Sequence, residues 1–504
     1  MTSVVVKAGP RQWLGLVVLI LPVLAISVTA TVLSFALPFV SASLAPSSVE
    51  LLWIVDVYAY VLAGLLLVMG SLGDRIGRRR LLLIGSVVLA LFSVAAAVTT
   101  VAWVLVLVRA VHGAAAAAVL PSTLSLIRTM FQDGQQRRFA IAVWAGTFAA
   151  GGALGPIAGG LLLQHFPWGS VFLVNVPLLL PLLLIGWRLL PEYRDPRPGP
   201  FDLLSATLSL AAVLPVIYGV KTIAADGFAW PDIGFIVVGL GVGALFLRRQ
   251  RRLERPMLSL ALFGNLPFTT ALISSTMAVF ALVGMFFFVA QYLQSVLGFG
   301  PLAAGLWTLP AAVLAGVGSA GAAALARWIS PGVLIAGGMV LAAVGFVFIA
   351  GAGLVAIVVG LSLVGLGIGV VQALASDVAV ANAPVERAGA ASAVLEAGSE
   401  FGGALGVTIL GSVGAATYHL ELARGAPPGL PEATVRAAGQ TLGDAVALAE
   451  QQGGDTGALL LSAARTAFSD GMHAAAVVGA VLMIAAALLA AVVATRRSSD
   501  DRTS

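Results

Sequence analysis

The chain has 504 residues, 60% of them hydrophobic and only 10% charged, with a mean hydropathy of +1.05. A soluble protein of this size could not hide that much apolar surface, and the apolar residues come in runs of about 20, the length that crosses a hydrocarbon core. The chain is therefore read as an all-α polytopic membrane protein. Its net charge of +5 does not call for a nucleic-acid partner, because the arginines flank the apolar runs and so serve topology. The absence of cysteine excludes disulfides, thiol nucleophiles and thiolate metal sites. Four scattered histidines, His112, His165, His419 and His473, give no metal cluster, so no metal or other cofactor is expected.

In chain order, Lys7 and Arg11 precede a first run with no clear small-residue cleavage site, which is read as a retained helix near 13–38. Further spans are expected near 51–70, 81–99, 102–122, 139–163, 171–190, 203–221, 233–248, 268–290, 302–322, 331–350, 353–374, 391–416 and 473–494. That makes fourteen, an even number, so both termini lie on one side. Arginine clusters such as Arg75, Arg78, Arg79 and Arg80, or Arg248, Arg249, Arg251 and Arg252, fall on that same side, which predicts cytoplasmic termini. Arg109 falls within a span, and Lys221, Arg424, Arg436 and Arg465 fall outside.

The stretch of about 417–472 is expected as an extracellular hairpin. Leu442 and Val446, then Leu459, Leu460, Ala463 and Ala467, recur at helical spacing on either side of Gly453 and Gly454, which predicts two short helices. A faint repeat relates the turn at Gly70–Arg79 to the one at Gly321–Pro331. The expected division is an N-terminal six-helix bundle over 1–200, two inserted helices and a linker over 201–265, and a C-terminal six-helix bundle over 266–504. Such a layout puts a transport site between related halves.

Gly70, Asp74, Arg75, Gly77, Arg78 and Arg79 form the most distinctive local pattern. The glycines permit a tight turn, and Asp74 can accept from arginine and cap the next helix, a cluster suited to gating one face of a bundle. Written as G-x-x-x-D-R-x-G-R-R, this turn resembles the signature of the major facilitator superfamily. Gly151, Gly155, Pro156, Gly159 and Gly160 resemble that family's antiporter motif, which implies export. Trp53-Ile-Val-Asp56-Val-Tyr58, Asn175-Val-Pro177 and Gln291-Tyr292-Leu293-Gln294 resemble its fourteen-helix drug:proton antiporters, among them the quaternary-ammonium and multidrug exporters of staphylococci and mycobacteria. The resemblance implies the major facilitator fold and a proton-coupling role for Arg109.

Four acids lie in or near spans: Asp56, Asp377, Glu396 and Glu400. A carboxylate at bilayer depth is costly unless it works, and desolvation favours its neutral form, so a proton gradient can load and unload it. Asp56, about two turns from the outer face, is expected to couple protons. Glu396 and Glu400 are four residues apart on one helical face and are expected to share a proton or attract a cationic substrate; Asp377 is expected near the interface. Trp53, Tyr58, Trp144, Phe148 and Tyr292 are candidates for stacking a planar cation. Relatives commonly carry an aspartate where Thr29 stands before Ala36-Leu37-Pro38.

The expected function is proton-coupled export of hydrophobic, mainly cationic drugs and dyes, driven by the proton gradient, since no G-x-x-x-x-G-K-S/T loop is present. The alternative is export of a single endogenous metabolite or lipid. The expected partners are small hydrophobic cations, protons and the bilayer, with a monomer as the working unit; enzymatic chemistry is not expected.

Overall fold

A computed structural model of the protein describes residues 8–194, 202–226, 229–253, 256, 260–351, 353–382 and 388–503. Lys7 and the expected boundary at 200/201 lie outside the described residues. Inside a bilayer the backbone must pair with itself, so long apolar runs become helices. They are α1 (Pro10–Leu44), α2 (Ser48–Ile76), α3 (Arg78–Val98), α4 (Ala102–Met130), α5 (Gly134–His165), α6 (Ser170–Leu173), α7 (Asn175–Leu189), α8 (Leu203–Asp226) and α9 (Trp230–Arg252). There follow α10 (Leu266–Gln291), α11 (Pro301–Leu325), α12 (Pro331–Ile349), α13 (Leu354–Ala381), α14 (Ala388–Gly425), α15 (Glu432–Ala438), α16 (Leu442–Gln452) and α17 (Gly454–Thr503). Among the described residues, fourteen spans are long and apolar enough to cross a membrane, α6 and α7 together making one. Each coincides with one of the fourteen runs read from the sequence.

Local chemistry sets the helix starts. Ser47 and Glu50 form a reciprocal cap on α2. Asp133 accepts from the Gln136 amide at 2.8 Å on α5, and Asn265 from that of Phe268 at 3.1 Å on α10. Gly77, at φ 109°, makes the break between α2 and α3. One end of the bundle gathers Arg11, whose guanidinium donates to the Arg188 carbonyl at 2.6 Å, and the arginines of the α2–α3 turn. This arginine end lies opposite the segment between α14 and α17.

That segment differs from expectation. α14 runs on to Gly425, α15 forms after Pro431, and only α16 is a short helix like those foreseen. Beyond Gly453 and Gly454, both at positive φ, the second arm is the beginning of the 50-residue α17. No proline interrupts it, so the helix of the last span simply projects past the membrane. α15 and α16 cover the bundle end: the Tyr418 hydroxyl donates to the Ala438 carbonyl at 2.8 Å, and the Ser48 hydroxyl donates to the Gln440 carbonyl.

The same end is where helices from the two halves of the chain meet closely. A Cβ on Gly160 of α5 would strike the backbone of Pro301 and Leu302 in α11, and one on Gly305 would stand 2.6 Å from the Pro156 carbonyl oxygen. On another flank α8 packs on α9, and also touches both α2 and α14, so it sits over the seam between them.

Two outcomes follow. The Asp444 carboxyl is pushed above the usual aspartate range by burial, against the lowering effect of its hydrogen bonds with Thr441. A raised value in the docked state means that protonation favours docking, a contribution complete below the ordinary aspartate range and lost as pH rises through the raised one. Intrinsic-rate-corrected hydrogen exchange of α16 is expected to slow on acidification over that window, and to lose this dependence in Asp444→Asn. Gly160→Leu is expected to part α5 from α11. With a single cysteine at buried Ala304, a hydrophilic maleimide then reacts severalfold faster than without the leucine.

Candidate functional site

Asp56 lies two turns into α2 with 1% of its surface exposed. Its carboxylate accepts from the Lys221 ammonium of α8, with Nζ 2.9 Å from Oδ1 and 2.8 Å from Oδ2, and both side chains are completely buried. The Thr408 hydroxyl of α14 donates to Oδ2 at 2.7 Å, and Thr408 Oγ1 in turn lies 2.7 Å from the Tyr60 hydroxyl. Lys221 Nζ also stands 4.1 Å from the centre of the Trp53 ring, close enough for a cation–π contact. Three helices from distant parts of the sequence thus meet at one carboxylate.

Lys221 therefore does not face outside, as the spacing of runs suggested. α8 continues to Asp226 rather than ending at the lysine, which carries the ammonium into the protein interior. A charge that deep is tolerated because Asp56 neutralises it.

Arg109 of α4, 1% exposed, forms a second buried centre. Its Nε donates to the Ile54 carbonyl at 3.1 Å, and its guanidinium carbon lies 4.6 Å from the centre of the Tyr58 ring. Gly113 makes this possible, since its bare backbone lies against the Tyr58 carbonyl and draws α4 onto α2. Arg109 acts electrostatically on Asp56, and Tyr58 is within electrostatic reach of both Arg109 and Glu400. Among the described residues, the Tyr58 hydroxyl, Arg109 Nη1 and Trp53 Nε1 are buried without a hydrogen-bond partner.

Glu396 and Glu400 stand one turn apart on α14, close enough to act on each other. Among the described residues neither has a hydrogen-bond or ion-pair partner, and Glu396 is exposed while Glu400 is half-buried. By helical spacing they lie opposite Val394, Ala397, Gly398 and Phe401. Those four residues line an apolar cavity of about 380 Å³, with Tyr60, Leu210, Phe246 and Met277 among its other walls. Asp377 is exposed near the end of α13.

The remaining sequence candidates fall into separate places. In the signature turn, Arg78 pairs with Asp74 at 2.6 Å, and Arg79 lies 3.6 Å from Glu192 while donating to the Trp187 and Leu190 carbonyls at 2.9 Å each. Asp74 does not cap α3, whose first residues follow Gly77 with no side-chain cap; the turn is fastened to the end of α7. Arg75 is exposed at the end of α2, and among the described residues nothing lies within 4 Å of where a Cβ on Gly70 would be. In α5, Gly151 and Gly155 admit Ser27 and Thr31 of α1, Gly159 admits Val32, and Pro156 and Gly160 meet α11. Trp144 and Phe148 stack at 6.5 Å, the indole donating to Thr123 at 3.0 Å. Tyr292 is 6% exposed in the turn after α10, at the end covered by α16 and away from the acids.

Thr29 donates to the Asn175 side chain at 2.7 Å, Asn175 donates to Ser93 at 2.9 Å, and His112 Nε2 lies 3.4 Å from the same serine. Thr29 is thus the end of a buried chain of polar side chains. Glu192, Thr408, Tyr60 and the role of Lys221 were missed from sequence. A signal existed only for Lys221: it is one of two lysines in the chain and stands in an otherwise apolar run.

Comparison with known proteins agrees with this architecture. The chain is 46% identical over 470 residues to the multidrug efflux pump LfrA of Mycolicibacterium smegmatis, covering 92% of this chain and 93% of that one. It is 35% identical to the methyl viologen resistance protein SmvA of Salmonella typhimurium, over 91% and 93% of the two chains. It is also 31% identical to the multidrug resistance protein Stp of Mycobacterium tuberculosis, over 80% and 76%. In fold it matches a bacterial homolog of the human lysosomal transporter Spinster in an inward-facing, unoccupied conformation, with a TM-score of 0.68, 20% identity and coverage of 96% and 98%. The Major Facilitator Superfamily model matches residues 19–407. The chain is a multi-pass membrane protein and belongs to the major facilitator superfamily.

Proposed function

We propose that this protein exports hydrophobic, mainly cationic drugs and dyes across the bacterial cytoplasmic membrane in exchange for protons. The observation that carries the reading is the pair Glu396 and Glu400, one turn apart in a membrane span and lacking any hydrogen-bond or ion-pair partner among the described residues. Two such carboxylates need a counter-charge that comes and goes, and a proton or a lipophilic cation meets that need. Tyr58, whose ring carries the Arg109 guanidinium, is within electrostatic reach of Glu400, and Trp144 and Phe148 offer a stacked aromatic surface. Relatives named for multidrug efflux and methyl viologen resistance support the substrate class.

In this reading Asp56 carries the exchanged proton and Arg109 tunes it by its nearby charge. Residues 1–200 and 266–504 form two six-helix bundles that rock about the site, with 201–265 as an insertion. The arginine end faces the cytoplasm, following the bias of basic residues. The signature turn at Gly70–Arg79 governs that end, and the glycines of α5 govern closure against α11 at the other.

Purified protein in liposomes with an imposed pH gradient tests the proposal. Ethidium is expected to move with the gradient, and Asp56→Asn to abolish gradient-driven movement; equal movement with and without the gradient overturns the coupling. Glu400→Gln is expected to weaken ethidium binding about tenfold, corresponding to about 1.4 kcal/mol, with a smaller effect on an uncharged dye of similar size. An equal loss for both dyes means that Glu400 does not read charge.

A further inference from the structure

The α8–α9 pair has no assigned part in exchanging a drug for a proton, yet it delivers the cation that occupies the coupling acid. We propose that Lys221 is the positioning residue of proton exchange: a tethered cation that fills the Asp56 site when the proton is absent and withdraws when the proton arrives. The proposal rests on the coupling role given to Asp56 above.

The geometry carries it. Lys221 engages both carboxylate oxygens, at 2.9 and 2.8 Å, and lies over the Trp53 ring at 4.1 Å. A carboxylate beside an aromatic face is the pair of features that would hold a cationic substrate, and here the chain's own ammonium holds them. The pair is neutral as it stands. Adding a proton to Asp56 without any other change leaves a buried ammonium with no counter-charge, a costly arrangement in a membrane. Protonation therefore has to be matched by loss or relocation of the lysine charge. Lys221 is five residues from the end of α8 at Asp226, within range for a long side chain that snorkels toward the interface.

Because α8 touches both α2 and α14, and Thr408 of α14 also holds Asp56, withdrawal would slacken the seam between the two halves at the point where the proton binds. The charged and titratable groups around the pair are few. α2 supplies Asp56 and Tyr60, and α4 supplies Arg109, which acts on Asp56. α9 supplies buried Asp232, whose backbone packs on Gly219 of α8. α8 itself carries Tyr218, edge-on to Phe235, and α14 places Glu400 eight residues from Thr408. Among the described residues, only Lys221 bonds directly to Asp56 as a cation.

The test compares wild type, Lys221→Met and Lys221→Arg in liposomes, reading ethidium transport against pH. Lys221→Met lacks the positive charge that competes with the proton for the carboxylate, so its transport profile is expected to move toward alkaline pH by about 1 to 3 units. Lys221→Arg is expected to stay near wild type. A Lys221→Met profile that coincides with wild type overturns the proposal. A second measurement needs neither a Lys221 variant nor drug transport. The chain has only two lysines, Lys7 and Lys221, so protein labelled with ¹⁵N-lysine gives two side-chain signals, assigned with Lys7→Arg. The Lys221 signal is expected to change environment at the same pH at which the infrared band of protonated Asp56, identified by its loss in Asp56→Asn, appears. A Lys221 signal that stays fixed while that band titrates refutes the withdrawal. Failure of wild type to move ethidium would count against the functional reading alone, and the lysine signal would still decide this one.

Discussion

A charge buried at bilayer depth must be neutralised, and the ion pair of Asp56 with Lys221 is where this protein meets that demand. The pair pins α8 across the seam of α2 and α14, because the three partners of the carboxylate come from these helices. It also explains why Trp53 and Tyr60 turn inward: one provides a π face for the ammonium, the other a hydroxyl against Thr408. The packing of α8 on α2 and α14 is in this sense an electrostatic consequence of one aspartate.

The acids of the bundle fall into two kinds. Asp56 is saturated with donors, whereas Glu396 and Glu400 have none among the described residues. Two aromatic rings expected to wait for a substrate already serve the chain: Lys221 lies over Trp53 and Arg109 over Tyr58. The protein thus stores its own cations on the surfaces that suit a foreign one, and leaves open a different pair of carboxylates.

Much of the architecture was legible because lipid leaves so few options. Runs of apolar residues had to be helices, and all fourteen are; the glycines of α5 had to meet something closely, and they meet α1 and α11. The signature turn was recognised, but not its anchor Glu192, which approaches from α7 with no local sequence cue. Hydropathy failed in two instructive places. It closed a span at Lys221 because a lysine normally marks an interface, and the aspartate that allows it inside lies 165 residues away. It also separated the outer arm at Leu459–Ala467 from the last span, although one uninterrupted helix serves both. Thr408 had no signal, since a lone threonine in an apolar helix usually bonds its own backbone.

The most direct measurement is proton release by the purified protein in weakly buffered detergent solution when tetraphenylphosphonium is added. If hydrophobic cations and protons compete for the acids of α2 and α14, the addition liberates protons from wild type and fewer from Asp56→Asn. A protein that binds the cation and releases no proton, or that releases the same number with Asp56 neutralised, would contradict the account.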